Sequence, residues 1–143
     1  MAGHISRATR RRVAAVARFR CGYCLTSQAV IGPLLEIDHL LPEALGGGSE
    51  ETNLWLACPH CNGAKGSRTT GRDALTGDIL PLFNPRQDQW SDHFQWTEGG
   101  AIIAGQTPVD RATVAALNMN YPDIVAARRL WIAVGWHPPA DND

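Results

Sequence analysis

The sequence contains no apolar run approaching the roughly 18 residues that a membrane-spanning helix needs. Its first 20 residues, MAGHISRATRRRVAAVARFR, also lack the long apolar stretch of a secretory signal. The sequence also contains no internal repeat and no low-complexity tract. We therefore expect a soluble, cytoplasmic protein whose 143 residues form one small domain with an appended piece.

Cysteine is scarce, and all four cysteines fall in two C-x-x-C pairs, Cys21 with Cys24 and Cys58 with Cys61. Without a secretory signal, two such pairs predict one tetrahedral, all-thiolate zinc site that the fold depends on. Disulfides are disfavoured in a reducing compartment, and a thioredoxin-type redox site would need only one pair. Because 33 residues separate the pairs, more than in the commonest zinc ribbons, a small subdomain must lie between them.

Positive charge is concentrated in the first half of the chain. Residues 1–72 carry nine Lys and Arg against five acidic residues, whereas residues 73–143 carry four against nine. This asymmetry suits a polyanionic partner for the first half, and a solvated basic helix face is the alternative.

Local patterns predict the elements of the first half. Ser6 is positioned to cap a helix through RATRRRVAAVARF, with Val13, Val16 and Phe19 on one apolar stripe. The stretch LLEIDHLLPE at 34–43 predicts a short buried strand with two polar residues, Asp38 and His39, at its centre. A polar glycine-rich loop at 42–52, a strand at 53–57 and a short helix from Pro59 follow.

The second half is predicted to contain a hairpin and two helices. TGDILPLFNPRQDQW is interpreted as an extended connection, and HFQWTEGGAIIAGQT as a hairpin that turns at 98–100. Helices are expected from Thr107 to about Asn118 and from about Tyr121 to Val134. The apolar face of the last helix is assigned to Val125, Leu130, Trp131 and Val134, and a satellite core to Trp90, Phe94, Trp96, Trp131 and Trp136.

The run CGYC followed by EIDHLLPEALGGGSEETNLWLACPHCNGAKGSR resembles the HNH endonuclease family of the zinc-bound, four-cysteine kind. The resemblance covers about residues 21–72 and implies an α+β fold: a ββα-metal (HNH) nuclease core with two CxxC zinc knuckles. An N-terminal basic helix and a C-terminal hairpin plus two helices complete it. Residues 1–72 would hold the first helix and the nuclease core, and residues 73–143 an extension packed on that core.

The resemblance also implies roles for individual residues. Asp38 becomes a ligand of a catalytic metal, His39 the general base, and Asn53 the residue that ties the loop to the strand and helps orient the histidine. Asn62 stands where many relatives have a final histidine. An amide oxygen suits hard cations, so we expect Mg²⁺ or Mn²⁺ at this site and Zn²⁺ on the cysteines.

The residue types fit phosphodiester hydrolysis on chemical grounds. Histidine, with an ordinary pKa of about 6.5, deprotonates water near neutral pH, and a metal with open positions neutralises developing charge. Lys65, three residues after Asn62, is predicted to hold a phosphate. Further backbone contacts are assigned to Arg68, Arg72, Arg10, Arg11 and Arg12.

Each assignment has a structural alternative. Asp38 also fits a helix cap or a loop acid, His39 a satisfied core histidine, and Asn53 an ordinary turn residue. Neighbours in a regular strand point to opposite faces, so a shared site for Asp38 and His39 requires the strand to bend, bulge or end there.

The predicted function is a DNA endonuclease dependent on Mg²⁺ or Mn²⁺. The alternatives are a zinc-stabilised nucleic-acid-binding module without cleavage activity, and a nuclease subunit active only in a larger phage or restriction assembly. The sequence leaves open whether two chains pair, whether RNA is also cut, and whether cleavage is sequence-specific.

Overall fold

The computed structural model describes residues 4–140. The chain divides into two compact units. The first extends through Thr69 and includes Asn84–Arg86, and the second comprises Thr70–Phe83 together with the chain from Gln87 onward. None of the helices between residues 4 and 140 has the length and apolarity needed to cross a bilayer.

The first unit begins with a basic helix, α1 (Arg7–Val16), that packs against the strand Leu54–Ala57. The Ser6 hydroxyl accepts a hydrogen bond from the Thr9 backbone N–H, as the capping pattern predicts. The predicted apolar stripe is wrong in part: Val13 is fully buried, but Val16 and Phe19 are 55% and 46% exposed. The helix ends at Val16, so Phe19 lies beyond its last turn.

A two-stranded antiparallel sheet and a helix follow the first cysteine pair and the short helix α2 (Gln28–Ile31). Strand β1 (Glu36–His39) pairs with β2 (Leu54–Ala57), and α3 (Pro59–Lys65) packs on β1. Two 3-10 turns, Glu43–Leu45 and Glu51–Asn53, lie in the connecting loop. This order confirms the α+β class.

The strand predicted in LLEIDHLLPE is present at Glu36–His39, but the predicted burial of its apolar residues is wrong for Leu34 and Leu41. Leu34 and Leu41 are 57% and 45% exposed, whereas the carboxylate residue Asp38 is only 2% exposed. Leu35, Ile37 and Leu40 are half-buried, because a two-stranded sheet covers its apolar residues only in part, while Asp38 is buried among polar partners described below.

The second unit contains two antiparallel hairpins and three helices. Strand β3 (Thr70–Arg72) pairs with β4 (Ile79–Pro81), and β5 (Phe94–Thr97) pairs with β6 (Ile102–Gly105). The helices are α4 (Trp90–His93), α5 (Pro108–Ala116) and α6 (Pro122–Ala133). The hairpin at 94–105 and both long helices are confirmed, but the extended connection predicted at 76–90 contains β4 and ends at the first residue of α4.

Helix α5 lies directly on both hairpins of the second unit. A Cβ added to Gly71 would lie 2.7 Å from Ala112 O, and one added to Gly105 would lie 2.6 Å from Arg111 N. Only glycine permits these approaches. A capping box between Thr107 and Asp110 begins the helix.

The apolar face assigned to α6 is wrong in part, because Val125 and Trp131 are half-buried but the other two residues are exposed. Leu130 and Val134 are 71% and 58% exposed, and the side chain that α6 buries fully is Arg128. Its guanidinium donates to Ala101 O at 3.0 Å and to Met119 O at 2.7 Å. Trp136, assigned to a satellite core, is 60% exposed.

Candidate active site

The four cysteine side chains converge in the first unit. Their Sγ atoms all lie within 4.8 Å of one another, and Cys24 Sγ lies 3.7 Å from Cys58 Sγ. Four sulfurs held about 2.3 Å from a tetrahedral zinc ion would be separated by about 3.8 Å, so the observed geometry fits that ion. Among residues 4–140, no other group of three or more His, Cys, Asp or Glu side chains converges in this way.

The electrostatics of the cluster also favour a bound cation. Burial raises the pKa of Cys21 well above its ordinary value. The pKa of Cys61 is also raised, mainly by the hydrogen bond between Cys61 and Cys21. Hydrogen bonding from Cys21 instead lowers the pKa of Cys24. Four adjacent buried thiols therefore resist joint ionisation, and a divalent cation supplies the charge that stabilises the thiolates. The cluster indicates a structural zinc site.

Asp38, on β1, is held between two hydrogen-bond donors. The Tyr23 hydroxyl donates to Asp38 Oδ2 at 2.6 Å, and Lys65 Nζ donates to Asp38 Oδ1 at 3.1 Å. Burial, and then the neighbouring Asp38 carboxylate, raise the pKa of Tyr23 well above its ordinary value, so the phenol keeps its proton and donates. A buried carboxylate is thus neutralised by one cation and oriented from two sides.

Lys65 is buried, with only 3% of its side chain exposed. Besides Asp38, its ammonium group donates to His39 O at 2.9 Å and to Leu40 O at 3.4 Å. An ammonium has three donors, and all three have partners within the chain. This placement differs from the phosphate contact expected from sequence spacing, and makes Lys65 the counterion of Asp38.

His39 ends β1, and its side chain is 15% exposed. Its Nε2 atom lies 3.1 Å from Ser49 Oγ and 3.2 Å from Glu43 Oε1, so two loop residues fix the imidazole plane. Because Glu43 can only accept when ionised, this contact favours the tautomer with the proton on Nε2. The loop therefore leaves Nδ1 as the basic nitrogen.

Asn53 closes the glycine-rich loop. Its Oδ1 accepts from Leu41 N at 2.8 Å, and its Nδ2 donates to Leu41 O and to Gly48 O at 3.0 and 2.8 Å. A Cβ on Gly47 would lie 1.7 Å from Leu41 O, so the closed loop requires glycine there. These contacts hold the segment that carries Ser49 against the end of β1.

Asn62, on α3, donates from Nδ2 to Glu36 Oε1 at 2.9 Å. Asn62, Asp38 and His39 line one cavity of about 270 Å³, together with Glu43 and Ser67. The β1–β2 ladder is regular to its last pair, His39 with Leu54, and the strand ends there without a bulge. The end of the strand thus allows Asp38 and His39 to border the same cavity.

The arginines assigned to backbone contacts occupy different settings. Arg10 and Arg11 are exposed on α1, and Arg68 is exposed shortly after α3. The Arg12 side chain forms a 2.8 Å ion pair with Glu51. Arg72 belongs to β3 in the second unit and donates to Gly77 O at 2.7 Å.

Sequence reasoning missed Tyr23, Glu43 and Ser49. Tyr23 stands 15 residues before its partner Asp38, and Ser49 stands 10 residues after His39. The available signal for Tyr23 was its position between two cysteines. An aromatic residue there is expected to be buried, and a buried hydroxyl needs a hydrogen-bond partner. Nothing in a loop rich in glycine and glutamate distinguishes Glu43 or Ser49.

Comparison with known proteins agrees with this architecture. The family model described as HNH endonuclease matches residues 21–68, a span that contains both cysteine pairs, β1, β2 and α3. No curated protein and no solved structure matches the chain. The match supports a nuclease-type function. Residues 21–68 therefore match the HNH endonuclease family model, and the four-cysteine cluster is consistent with the zinc-binding kind of that family.

Proposed function

We propose that the protein is a metal-dependent endonuclease that hydrolyses DNA phosphodiester bonds, with His39 as the general base. The observation that carries this proposal is the convergence of Asp38, His39 and Asn62 on one cavity at the end of β1. A base and two oxygen ligands are the groups that metal-assisted hydrolysis needs.

His39 takes the proton of the attacking water through Nδ1. Glu43 and Ser49 hold Nε2, so the ring does not rotate away when it becomes protonated. The negative charge of Glu43 also stabilises the imidazolium that forms.

The oxygen donors of the cavity fit a hard divalent cation. Each carboxylate oxygen of Asp38 accepts one hydrogen bond and keeps a second lone pair for a metal ion. Asn62 donates from its amide nitrogen to Glu36, and its amide oxygen is the second ligand. Mg²⁺ or Mn²⁺ prefers such ligands. When bound, the ion would neutralise charge on the phosphoryl group and on the leaving oxygen. The Lys65 ammonium neutralises the charge of the Asp38 carboxylate and donates hydrogen bonds to the backbone carbonyl groups at the end of β1.

Exposed arginines provide the nucleic-acid contacts. Arg10 and Arg11 on α1, with Arg68 after α3, present positive charge from the first unit. Contacts of this kind hold the phosphate backbone and do not select a sequence. Arg12 contributes less because Glu51 already neutralises it.

Conversion of supercoiled plasmid to nicked or linear DNA tests the proposal. The zinc-loaded chain should cut when Mg²⁺ or Mn²⁺ is added and should not cut when neither ion is added. Asp38→Asn should abolish cutting. DNA binding without strand breaks under any divalent cation would instead establish the binding-module function. Cutting only after a candidate partner is added would identify a subunit of a larger assembly.

A further inference from the structure

Tyr23 lies inside the first zinc knuckle, between Cys21 and Cys24, and its side chain is fully buried. Its hydroxyl makes a 2.6 Å hydrogen bond to Asp38 Oδ2, across 15 residues of sequence.

Both zinc-binding segments reach the same carboxylate. The first supplies Tyr23, and the second continues from Cys61 along α3 to Lys65, whose Nζ lies 3.1 Å from Asp38 Oδ1. One donor engages each carboxylate oxygen, so the plane of the carboxylate is fixed from both sides. The four-cysteine cluster holds the two donor-bearing segments together.

We propose that Tyr23 is a positioning residue for the catalytic metal, because it fixes the orientation in which Asp38 presents its free lone pairs. This inference rests on the proposed function, in which Asp38 is a ligand of Mg²⁺ or Mn²⁺. Hydrogen-bonded partners of metal ligands typically contribute 10- to 100-fold to metal affinity. The zinc cluster thus has a second role: besides stabilising the fold, it holds the donor that orients the catalytic carboxylate.

The test is Mn²⁺ binding to the full zinc-loaded chain, measured by electron paramagnetic resonance of free Mn²⁺. Tyr23→Phe keeps the ring and the four cysteines and removes only the hydroxyl. We expect the Mn²⁺ dissociation constant to rise about 10- to 100-fold with one zinc per chain retained. Tyr121→Phe removes the hydroxyl of the other tyrosine, in the second unit, and should leave the constant unchanged.

The outcomes separate this inference from the proposed function. If wild type and Tyr23→Phe bind Mn²⁺ with the same affinity, Tyr23 is not a positioning residue, whether or not the melting temperature of the variant falls. If the wild-type chain does not bind Mn²⁺, or if Asp38→Asn leaves Mn²⁺ binding unchanged, both the proposed metal site and this inference are wrong.

A second measurement does not depend on the folding of Tyr23→Phe. The chain has two tyrosines, so fluorotyrosine incorporated into Tyr121→Phe labels Tyr23 alone. Substoichiometric Mn²⁺ should broaden the fluorine resonance of Tyr23, and Asp38→Asn should prevent the broadening. A resonance that Mn²⁺ leaves sharp would place the metal away from this hydrogen bond and contradict the inference.

Discussion

Lys65 Nζ lies 3.1 Å from Asp38 Oδ1, and only 3% of either side chain is exposed. The two residues come from α3 and β1, 27 positions apart. A charge pair removed from water in this way is stable only while both members are present. The pair therefore ties the helix that follows the second zinc knuckle to the strand that carries the candidate catalytic residues.

Loss of the Lys65 charge should destabilise the protein strongly. Lys65→Met leaves the Asp38 carboxylate buried without a counterion and removes two hydrogen bonds to carbonyl groups, so the free energy of unfolding should fall by about 3–5 kcal/mol. Urea unfolding followed by tryptophan fluorescence measures the change.

Two comparisons sharpen the Lys65 measurement. Adding Asp38→Asn to Lys65→Met should recover part of the loss, because the unpaired charge disappears. Arg129→Met breaks a surface pair with Glu98, whose side chains are 54% and 60% exposed, and should cost no more than about 1 kcal/mol. A Lys65→Met variant as stable as Arg129→Met would show that the buried pair contributes little.

Removal of zinc should unfold the first unit. The four cysteines are buried and come from two segments that only the folded unit brings together, so the free energy of zinc binding is coupled to folding. We expect one zinc per chain by elemental analysis, loss of cooperative melting after chelation, and recovery with Zn²⁺ but not with Mg²⁺. A chain that melts cooperatively at an unchanged temperature without zinc would refute this expectation.

Asp73 makes the stability of the second unit dependent on pH. Two hydrogen bonds from the Arg111 guanidinium, at 3.0 and 2.9 Å, lower the pKa of Asp73 well below its ordinary value. The ionised carboxylate therefore stabilises the fold above the unfolded-state pKa of about 3.9, and this contribution is lost as pH falls toward the folded-state pKa.

The stability difference between wild type and Asp73→Asn should shrink as pH falls from about 5 toward 3. Melting temperatures of both proteins across this range provide the measurement, and zinc loss at low pH affects both proteins alike. A difference that stays constant over the range would mean that ionised Asp73 does not contribute.

The exposed arginines of α1 should determine part of the salt dependence of DNA binding. Each phosphate contact contributes about 0.9 to the slope of log affinity against log salt concentration. Replacing Arg10 and Arg11 by glutamine should therefore lower the magnitude of the slope by about 1.8, measured by fluorescence anisotropy of a labelled duplex. Arg129→Gln, in the second unit, serves as the control, and an unchanged slope in the double variant would exclude α1 from the interface.

The elements that were predicted well are those with local signals. The C-x-x-C spacing, Pro59 at the start of α3 and the capping box at Thr107 each act within a few residues, and each element is present where expected. The hairpin of β3 and β4 was missed because its turn depends on Asp73, whose side chain accepts from Leu75 N and Thr76 Oγ1.

Burial was predicted less well than the elements. Hydrophobic patterning assigns apolar residues to the interior, yet Asp38, Lys65 and Arg128 are buried while Leu34 and Leu130 are exposed. Charged side chains are buried here because each finds partners 8 to 27 residues away, and no local pattern contains that information. The candidate base was predicted from its motif, but its partners Glu43 and Ser49 were not, because nothing in the composition of their loop distinguishes them.

The most direct test of the central claim is single-turnover nicking of supercoiled plasmid by His39→Ala. General-base catalysis contributes about 10²- to 10⁴-fold, so the variant should bind zinc, Mn²⁺ and DNA like wild type but cut at least 100-fold more slowly. His4→Ala changes an exposed histidine and should cut at the wild-type rate. Equal rates for wild type and His39→Ala, whether both active or both inert, would contradict the assignment of His39 as the general base.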